Sequence, residues 1–561
     1  MFTNQKGIDK VALNILRKRY FHPGETTWED VTDRIVNWVL PGADKEQRDL
    51  TCELISNLYF IPNSPCIVNA GTKGAGLVAC FVVDFKDTIE DIYKTKLEFA
   101  LIAKKGGGCG TTLSKIRPKN SLVHGSVHGF AGGPVAFYNT ICHDMEVITQ
   151  GGFRAMAMMG TYTVYGPDIV EFITAKTTEG MMTTTNISVV VDDAFMRAVE
   201  ADEMYQTYFD YQDGRELGPK YNARDIFKMI TDSAWKNGEP GLLFYERMND
   251  SPYKYSEQEI LATNPCGEQP LPVNGACNLG SLDISKFLDE DKMLNLEKLE
   301  VATRLAVRFL DSVIDATSWP TLSIKQWAEQ NRPIGLGIMG LADYYLLRGV
   351  TYGTEQSLEE LSFILAYIKA IAEDESITMG EELGVPAACD MLPVPRRNIT
   401  LMTVAPTGTI SLIAGSSSGI EPIFSEITIR NDKTGTYEMN HISQESPHFR
   451  CAVSANGAKE VTIDEHLAIQ NTAQKFVDAG VSKTINAPTN TTKAQVFDAF
   501  LQAWKLPYIK GITLYRNGSR GVQVLTPKNL KKDLCPLCGE NLIIQAGCKK
   551  CSKCSFKLCE G

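Results

Sequence analysis

The chain has 561 residues, of which 43% are hydrophobic and 22% charged, a balance that excludes a disordered or fibrous protein and provides for a sizeable core. Lys and Arg total 56 against 67 Asp and Glu, a formal charge of −11, so the body is not built to coat nucleic acid or an anionic membrane, and any phosphate it binds must be held locally. At about 150 residues per domain the length allows three or four domains, or one large α/β barrel spanning most of the chain.

Met1-Phe2-Thr3-Asn4-Gln5-Lys6-Gly7 has no apolar leader, and no apolar run of about 18 residues follows, so a cytoplasmic location is expected. Val78 to Val83 and Ile187 to Val191 are apolar, β-rich runs of the kind buried in α/β sheets. Leu305, Phe309 and Val313 recur at helical spacing, as do Leu358, Leu361, Leu365 and Ile368, predicting two amphipathic helices. Between them Gly335-Leu336-Gly337-Ile338-Met339-Gly340 fits G-x-G-x-x-G. The residues before it, Trp327 to Pro333, read as helix then turn, so the strand-turn-helix context of a dinucleotide site is missing. Ile399 to Val404 predicts a further strand, followed by Ala405-Pro406-Thr407-Gly408-Thr409-Ile410-Ser411. That turn offers free backbone N–H groups to an anion at a helix start, or is a plain strand-to-helix turn with Gly for geometry; local residues do not choose between the two. The class is α/β.

The fifteen cysteines fall into two populations, nine spread through the body and six in the tail: Cys535, Cys538, Cys548, Cys551, Cys554 and Cys559. In a large cytosolic chain they read as metal ligands or redox groups. The densest chemistry in the body is Asn264-Pro265-Cys266-Gly267-Glu268-Gln269-Pro270, followed by Ala276-Cys277-Asn278-Leu279. Two prolines and a glycine exclude regular helix or strand around Cys266, which places it on a rigid loop tip with Asn264 and Glu268 beside it. A buried thiol on an ordinary turn is the plainer alternative, and it leaves the amide and the carboxylate unexplained. From Lys528 onward seven lysines face Asp533, Glu540 and Glu560, a local charge of +4 that marks a separate module beginning just after Thr526-Pro527. Its Cys535-x-x-Cys538 and Cys551-x-x-Cys554 knuckles offer four thiolates to one tetrahedral zinc ion. Cys548 opens a second register as Cys548-x-x-Cys551, so the ligand set is not unique, and Cys548 and Cys559 are left over from the first.

With these motifs in order the chain resembles the ribonucleotide reductases. The resemblance rests on Ala79-Cys80-Phe81-Val82, Asn264 to Glu268, Cys277-Asn278-Leu279, Arg332 to Gly337, Pro406 to Ile410, Ser417 to Pro422, Val481 to Asn486 and Tyr515 to Arg520. It implies a ten-stranded α/β barrel over 56–527 with a central finger loop, a short helical segment over 1–55, and a zinc-ribbon tail over 528–561. It also implies that Cys266 carries a thiyl radical that abstracts the 3′-hydrogen of a ribonucleotide, a task a thiol suits because its S–H bond is close in strength to the sugar C–H bond. Glu268 matches the carboxylate that takes the 3′-hydroxyl proton, and Asn264 the amide that bonds the sugar hydroxyls. Cys80 and Cys277 match the pair that delivers two electrons and closes as a transient disulfide. Substrate phosphate contacts map onto Cys66, Ala79, Gly108, Pro406, Thr407, Gly408, Thr409 and Ile410. Cys66 departs from the usual Thr or Ser of the family and reads as inert, and Cys109 reads as packing.

The single Tyr515, where radical-relay large subunits carry two adjacent tyrosines, and the Cys-rich tail look like the dimeric subgroup of the adenosylcobalamin-dependent class II enzymes. In that class the cofactor makes the radical and the protein positions and shields it. Tyr515 is then expected to line the cobalamin pocket or to be a core aromatic. Asp87 and Arg117 match a specificity site for a deoxynucleotide or ATP effector, the loop Thr177 to Thr185 is expected to pass base identity to the substrate pocket, and a homodimer is expected. The N-terminal segment is too short for the ATP-cone of many relatives. Cys548 and Cys559 would carry electrons from a thioredoxin-like or dithiol reductant. The alternatives are a large subunit needing a radical-generating partner, and a zinc-ribbon nucleic-acid-binding protein with an inactive enzyme body.

Overall fold

Three helices open the chain, Lys10–Arg19, Trp28–Val39 and Lys45–Ser56, and each starts at a side-chain cap, from Asp9, Thr27 and Asp44. Trp28, Val31, Ile35 and Val36 fall on one face of the second helix and are buried there, which fixes it against the body. The computed structural model describes residues 1–2, 7–123, 128–150, 154–177, 182–432, 435–440, 445–454, 457, 459–519 and 525–528, and in the tail 542–545, 548–551, 553 and 557–559.

The body is organised by a 10-stranded sheet. Its strands are β1 (Phe60–Pro62), β2 (Cys80–Val82), β3 (Gly108–Thr112), β4 (Met158–Thr163), β5 (Thr185–Val191), β6 (Gly241–Phe244), β7 (Ala276–Asp283), β8 (Ile334–Met339), β9 (Thr484–Ala487) and β10 (Gly511–Arg516). β2 to β6 run parallel in chain order, as β/α units with crossover helices must. A second set runs the other way: β7 lies parallel to β8, and β9 parallel to β10. The two sets meet antiparallel at two seams, β2 with β7 and β6 with β10, while β1 extends the first of these along β7.

Between β8 and β9 lies the predicted strand Ile399 to Val404, which closes the ring through single bridges, Leu336 to Met402 and Val404 to Val481. The Asp478 carboxylate accepts from Leu401 N–H at 2.9 Å and Met402 N–H at 3.2 Å. A side chain therefore interrupts what would be a regular ladder. The two predicted helices lie within Leu296–Ala316 and Glu355–Leu383, both longer than their apolar signals. The first five residues of the Gly335 to Gly340 motif lie within β8 itself, and only Gly340, at φ 75°, stands at the turn into helix Leu341–Arg348, so the glycines do not form a loop between strand and helix. No helix among the described residues is long and apolar enough to cross a membrane.

Helices coat the outside of the ring and give two of the three buried clusters. The third fills its interior and contains Cys80, Val82, Leu243, Cys277, Leu279 and Ala405. Into this interior runs a short hairpin, Ala262–Thr263 paired with Pro270–Leu271. It passes so close to β3 that a Cβ on Gly110 would lie 1.7 Å from Thr263 O, so only glycine lets the hairpin enter.

Candidate active site

Cys266 stands at the turn of that hairpin. The turn is closed from within by Asn264, whose N–H donates to Gln269 O at 3.0 Å, whose Oδ1 accepts from Gln269 N–H at 2.9 Å and whose carbonyl accepts from Gly267 N–H at 3.2 Å. Pro265 before the cysteine and Gly267 after it, at φ 82°, make the corner. It is also held from three strands' worth of chain. Asn186 Nδ2 on β5 donates to Pro265 O at 2.9 Å, Thr403 Oγ1 to Glu268 O at 2.8 Å, and Gly480 N–H to the same Glu268 O at 2.7 Å. Among the nine body cysteines Cys266 alone is exposed, while Asn264 and Glu268 are each 2% exposed.

Behind the tip, Cys80 and Cys277 face each other directly across the β2–β7 seam. Opposed residues of an antiparallel pair lie about 4.5–5.5 Å apart at Cα, within the ~4.4–6.8 Å a disulfide spans, so the two thiols can join with little backbone movement. Asn264 Nδ2 donates to Cys80 Sγ at 3.2 Å, and Cys80 Sγ donates to Glu268 Oε1 at 3.9 Å. Burial, reinforced by the Glu268 charge, pushes both thiols well above their ordinary pKa. At neutral pH the pair is therefore two protonated thiols, with a carboxylate in contact with one of them.

Cys266 opens onto a cavity of about 460 Å³, within the range of small-molecule sites. Its walls come from the starts of β4 to β6 and from β10, and they include Asn186, Glu239, Leu243, Pro406 and Tyr515. The cavity thus receives Pro406 of the anion turn and Tyr515. Thr407 adopts a left-handed φ of 49°, locked by Gly419 N–H donating to its Oγ1 at 2.7 Å. A side chain on Gly408 would meet nothing within 4 Å, so the turn keeps open space in front of it. Thr409 caps the five-residue helix Ile410–Ala414. Ala79 O accepts from Gly108 N–H at 2.8 Å, and Gly108 packs under Pro265, so both support the tip from below.

Other predicted residues lie elsewhere. Cys66 is turned into the core of a short helix, where burial pushes its thiol up to about 12, and its backbone N–H is taken by Asn63 Oδ1 at 3.1 Å. It does not line the cavity. Cys109 is fully buried on β3, as expected of a packing residue. Asp87 and Arg117 pair with each other, with Arg117 Nε 2.8 Å from Asp87 Oδ2 and its backbone N–H 3.0 Å from Oδ1. Within the loop Thr177 to Thr185, positions 178–181 lie outside the described residues. In the tail Cys548 and Cys551 end one strand and Cys559 ends another, with Cys548 and Cys559 opposite in register. The zinc-ligand expectation for Cys535, Cys538 and Cys554 lies outside the described residues. Among the described residues no group of three or more His, Cys, Asp or Glu side chains is arranged for a metal.

Asn186, Thr403 and Gly480, which hold the tip, escaped the sequence reading. The signal available was weak: Asn186 and Thr403 are polar positions inside or beside apolar β-runs, where a polar group needs a partner.

Two family models match the chain: "Ribonucleotide reductase, barrel domain" over residues 78–389 and 393–515, and "Ribonucleotide reductase, all-alpha domain" over 6–75. A vitamin B12-dependent ribonucleoside-diphosphate reductase of Thermoplasma acidophilum is 38% identical over 84% of this chain and 66% of its own length, so this chain spans just under two thirds of that relative. A protein of the same name from Mycobacterium tuberculosis is 34% identical over 98% of this chain and 84% of its own length. A ribonucleoside-diphosphate reductase large subunit of Plasmodium falciparum is 27% identical over 69% of this chain and 56% of its own length. With the barrel model matched across the hairpin tip and both seams, the chain belongs to the ribonucleotide reductase family.

Proposed function

We propose that this chain reduces ribonucleoside diphosphates to 2′-deoxyribonucleoside diphosphates in an adenosylcobalamin-dependent reaction that supplies DNA precursors. The observation that carries this reading is the arrangement of three cysteines: Cys266 exposed to a nucleotide-sized cavity, with Cys80 and Cys277 opposed behind it and Cys80 in contact with Asn264 and Glu268.

The cavity residues fit both groups the reaction needs. Pro406 and the open turn at Gly408 suit a phosphate held by backbone N–H groups, while Leu243 and Tyr515 give an apolar and aromatic wall toward which an adenosyl group can lie. When bound, adenosylcobalamin supplies the one-electron oxidising equivalent that removes the hydrogen atom of the Cys266 thiol. The Cys266 thiyl takes the 3′-hydrogen of the ribose, and Glu268 accepts the 3′-hydroxyl proton. The 2′-hydroxyl leaves as water with a proton from the Cys80–Cys277 pair. The two thiols together yield two electrons and two hydrogens and become a disulfide, Glu268 returns its proton to the 3′-oxygen, and Cys266 returns its hydrogen to C3′. The sum is one ribonucleotide and two thiols giving one deoxyribonucleotide, one disulfide and one water.

The remaining assignments belong to the same reading. The hairpin carrying Cys266 is the finger loop of the barrel. Helices ending at Ser56 support a helical segment over 1–55, ahead of the barrel over 56–527 and the tail over 528–561. Two C-x-x-C knuckles twelve residues apart support a zinc ribbon through Cys535, Cys538, Cys551 and Cys554. Cys548 and Cys559 would pass electrons from a dithiol reductant to the disulfide, with the enzyme in the cytoplasm. On helix Ile89–Lys105, Ile89, Tyr93 and Leu97 are 57%, 60% and 59% exposed at four-residue spacing, an apolar stripe suited to a second copy of the chain. Asp87 and Arg117 lie at the start of that helix, where a nucleotide effector would sit against the dimer contact.

The test is reduction of cytidine diphosphate by the full chain with a dithiol, with and without adenosylcobalamin. Deoxycytidine diphosphate is expected only with the cofactor. No product under those conditions overturns the reading, and product appearing only when a radical-generating partner subunit is added points to the large-subunit alternative.

A further inference from the structure

On the near side of Cys266 the tip is held by one strand end. Asn186 Nδ2 donates to Pro265 O, the carbonyl immediately before the cysteine, at 2.9 Å. Asn186 is the second residue of β5, so the position of that strand end is one of the restraints that set the position of the tip, beside Thr403 and Gly480.

The strand end has an unusual edge. Met158 N–H donates to Thr184 O and Val164 N–H to Val190 O, so even-numbered carbonyls of this strand face β4 and odd-numbered groups face β6. β6, however, begins only at Gly241, opposite Ser188. Thr185 O and Ile187 N–H therefore point to a place where the next strand has not started, and buried backbone groups there need partners from elsewhere. An ion pair provides them. Lys176 Nζ donates to Thr185 O, and Glu239 Oε2 accepts from Ile187 N–H at 3.0 Å. Lys176 Nζ and Glu239 Oε1 are 2.8 Å apart, with side chains 11% and 7% exposed. The pair continues the sheet in side-chain form for one step beyond the end of β6.

Both members are tied to other segments. Asn237 Nδ2 donates to Lys176 O at 2.6 Å, and Glu239 N–H donates to Asn237 Oδ1 at 3.1 Å. Lys236 Nζ donates to Thr177 O at 3.0 Å. Lys176 precedes the 177–185 segment, and its ammonium reaches across to the carbonyl of Thr185 at the segment's end. Glu239 in turn lines the cavity onto which Cys266 opens.

We propose that Lys176 and Glu239 are positioning residues for Cys266, acting through the Thr185–Ile187 strand end and Asn186. Displacing Lys176 frees Glu239 and the Thr185–Ile187 edge, and Asn186 carries that shift to Pro265 and Cys266. This deepens the proposed function and rests on it for the turnover arm of the test.

The test uses Lys176→Met, Glu239→Gln, Asn186→Ala, and Lys176→Arg as the conservative variant, each in the full chain. One arm reads alkylation of Cys266 by iodoacetamide, followed by peptide mapping; the other reads kcat and KM for cytidine diphosphate. Lys176→Met is expected to change the Cys266 alkylation rate several-fold and to lower kcat about tenfold with KM within twofold, since about 1 Å of misplacement costs up to ~100-fold. Glu239→Gln follows in the same direction with a smaller effect, because its amide oxygen still accepts from Ile187 N–H. Lys176→Arg restores both readouts. Asn186→Ala combined with Lys176→Met should be no worse than the more severe single variant, because both break one chain of contacts. Unchanged alkylation in folded Lys176→Met and Glu239→Gln overturns the proposal, as does an effect confined to KM or full additivity with Asn186→Ala. Absence of product from the unsubstituted chain counts against the proposed function alone, since alkylation still reports where Cys266 sits.

Discussion

The two seams of the ring are built alike and used differently. Each is a short antiparallel meeting of two otherwise parallel sets, with two residue pairs in register: Phe81 with Ala276 and Cys80 with Cys277 at one, Leu242 with Ile512 and Leu243 with Gly511 at the other. At the first seam the side chains are shut in, Cys80 at 3% and Cys277 at 0% exposure. At the second, Leu243 and Tyr515 face the cavity. Antiparallel pairing brings opposed side chains close, which suits a disulfide-forming pair at the closed seam. The same geometry without thiols leaves a smooth wall at the open one. On the proposed reading, electron storage and ligand access would lie on opposite sides of one hairpin tip.

The closed seam is broken most completely by Cys277→Ser. Turnover of cytidine diphosphate with a dithiol should fall by at least about a thousandfold, while Cys266 alkylation stays at the unsubstituted rate, because the serine cannot complete a disulfide but fills the same space. Chromatographic assay of deoxycytidine diphosphate checks it, and turnover within tenfold of normal would detach the pair from the reaction.

Entry of the tip between the seams is broken by Gly110→Ala. The added methyl collides with Thr263 O, and overpacking of this kind costs about 1–3 kcal/mol. Urea denaturation should show that loss together with a drop in kcat of about a hundredfold. A variant as stable and active as the parent would mean the hairpin does not lie where it is described.

The open seam is sharpened by Tyr515→Ala. Affinity for adenosylcobalamin, followed by its visible absorption, is expected to weaken about tenfold through lost aromatic contact, with nucleotide binding less affected.

The smallest effect lies behind the same seam. His466 is on helix Ile463–Gln474, whose Gln470 Nε2 donates to Gly511 O of β10 at 2.8 Å. It is 0% exposed, and neither ring nitrogen has a hydrogen-bond partner among the described residues. Burial, then the Lys483 and Arg450 charges, hold its pKa well below the ordinary 6.5. The unfolded chain therefore binds a proton that the folded chain refuses, and stability falls as pH drops below about 6.5, by up to ~1.4 kcal/mol per pH unit from this group. His466→Leu should flatten the slope between pH 6.5 and 5 in denaturant titrations by that amount. An unchanged slope would place the imidazole in water.

Much of the tip was legible because its constraints are local. Pro265 and Gly267 exclude regular structure at the tip whatever surrounds them, and the turn is closed by Asn264 and Gln269 within six residues, although Pro270, read with them, opens the second strand of the hairpin. The Leu305 and Leu358 periodicities likewise found the interiors of two helices, though not their ends, which depend on the caps at Asn295 and Thr354. What could not be read is what ring closure brings together. Asn186 meets Pro265, and Gly480 meets Glu268, only because strands far apart in the chain become neighbours. Nothing near Asn186 or Gly480 carries a mark of that meeting. The same holds for Lys176 and Glu239, which would pass for an ordinary surface pair in the sequence. Cys66 shows the converse: a family position kept in place while its thiol turns away into the core.

Asp478 carries a consequence of a different kind. Burial works against its charge, but Lys369, Arg396 and the N–H groups of Leu401 and Met402 outweigh that and hold the carboxyl below its usual range. At this junction the buried charge therefore reinforces backbone bonds, among them Leu336 N–H to Leu401 O at 2.8 Å and Val404 N–H to Gly480 O at 3.2 Å, where the other junctions rest on continuous ladders. Acid strong enough to protonate Asp478 removes that reinforcement, so the cylinder should loosen first between β8 and β9, where the backbone pairing is reduced to single bridges. This gives the molecule a defined line of opening that runs beside the Glu268 carbonyl and the Cys266 tip, and amide exchange at Leu401 and Met402 would be its earliest sign.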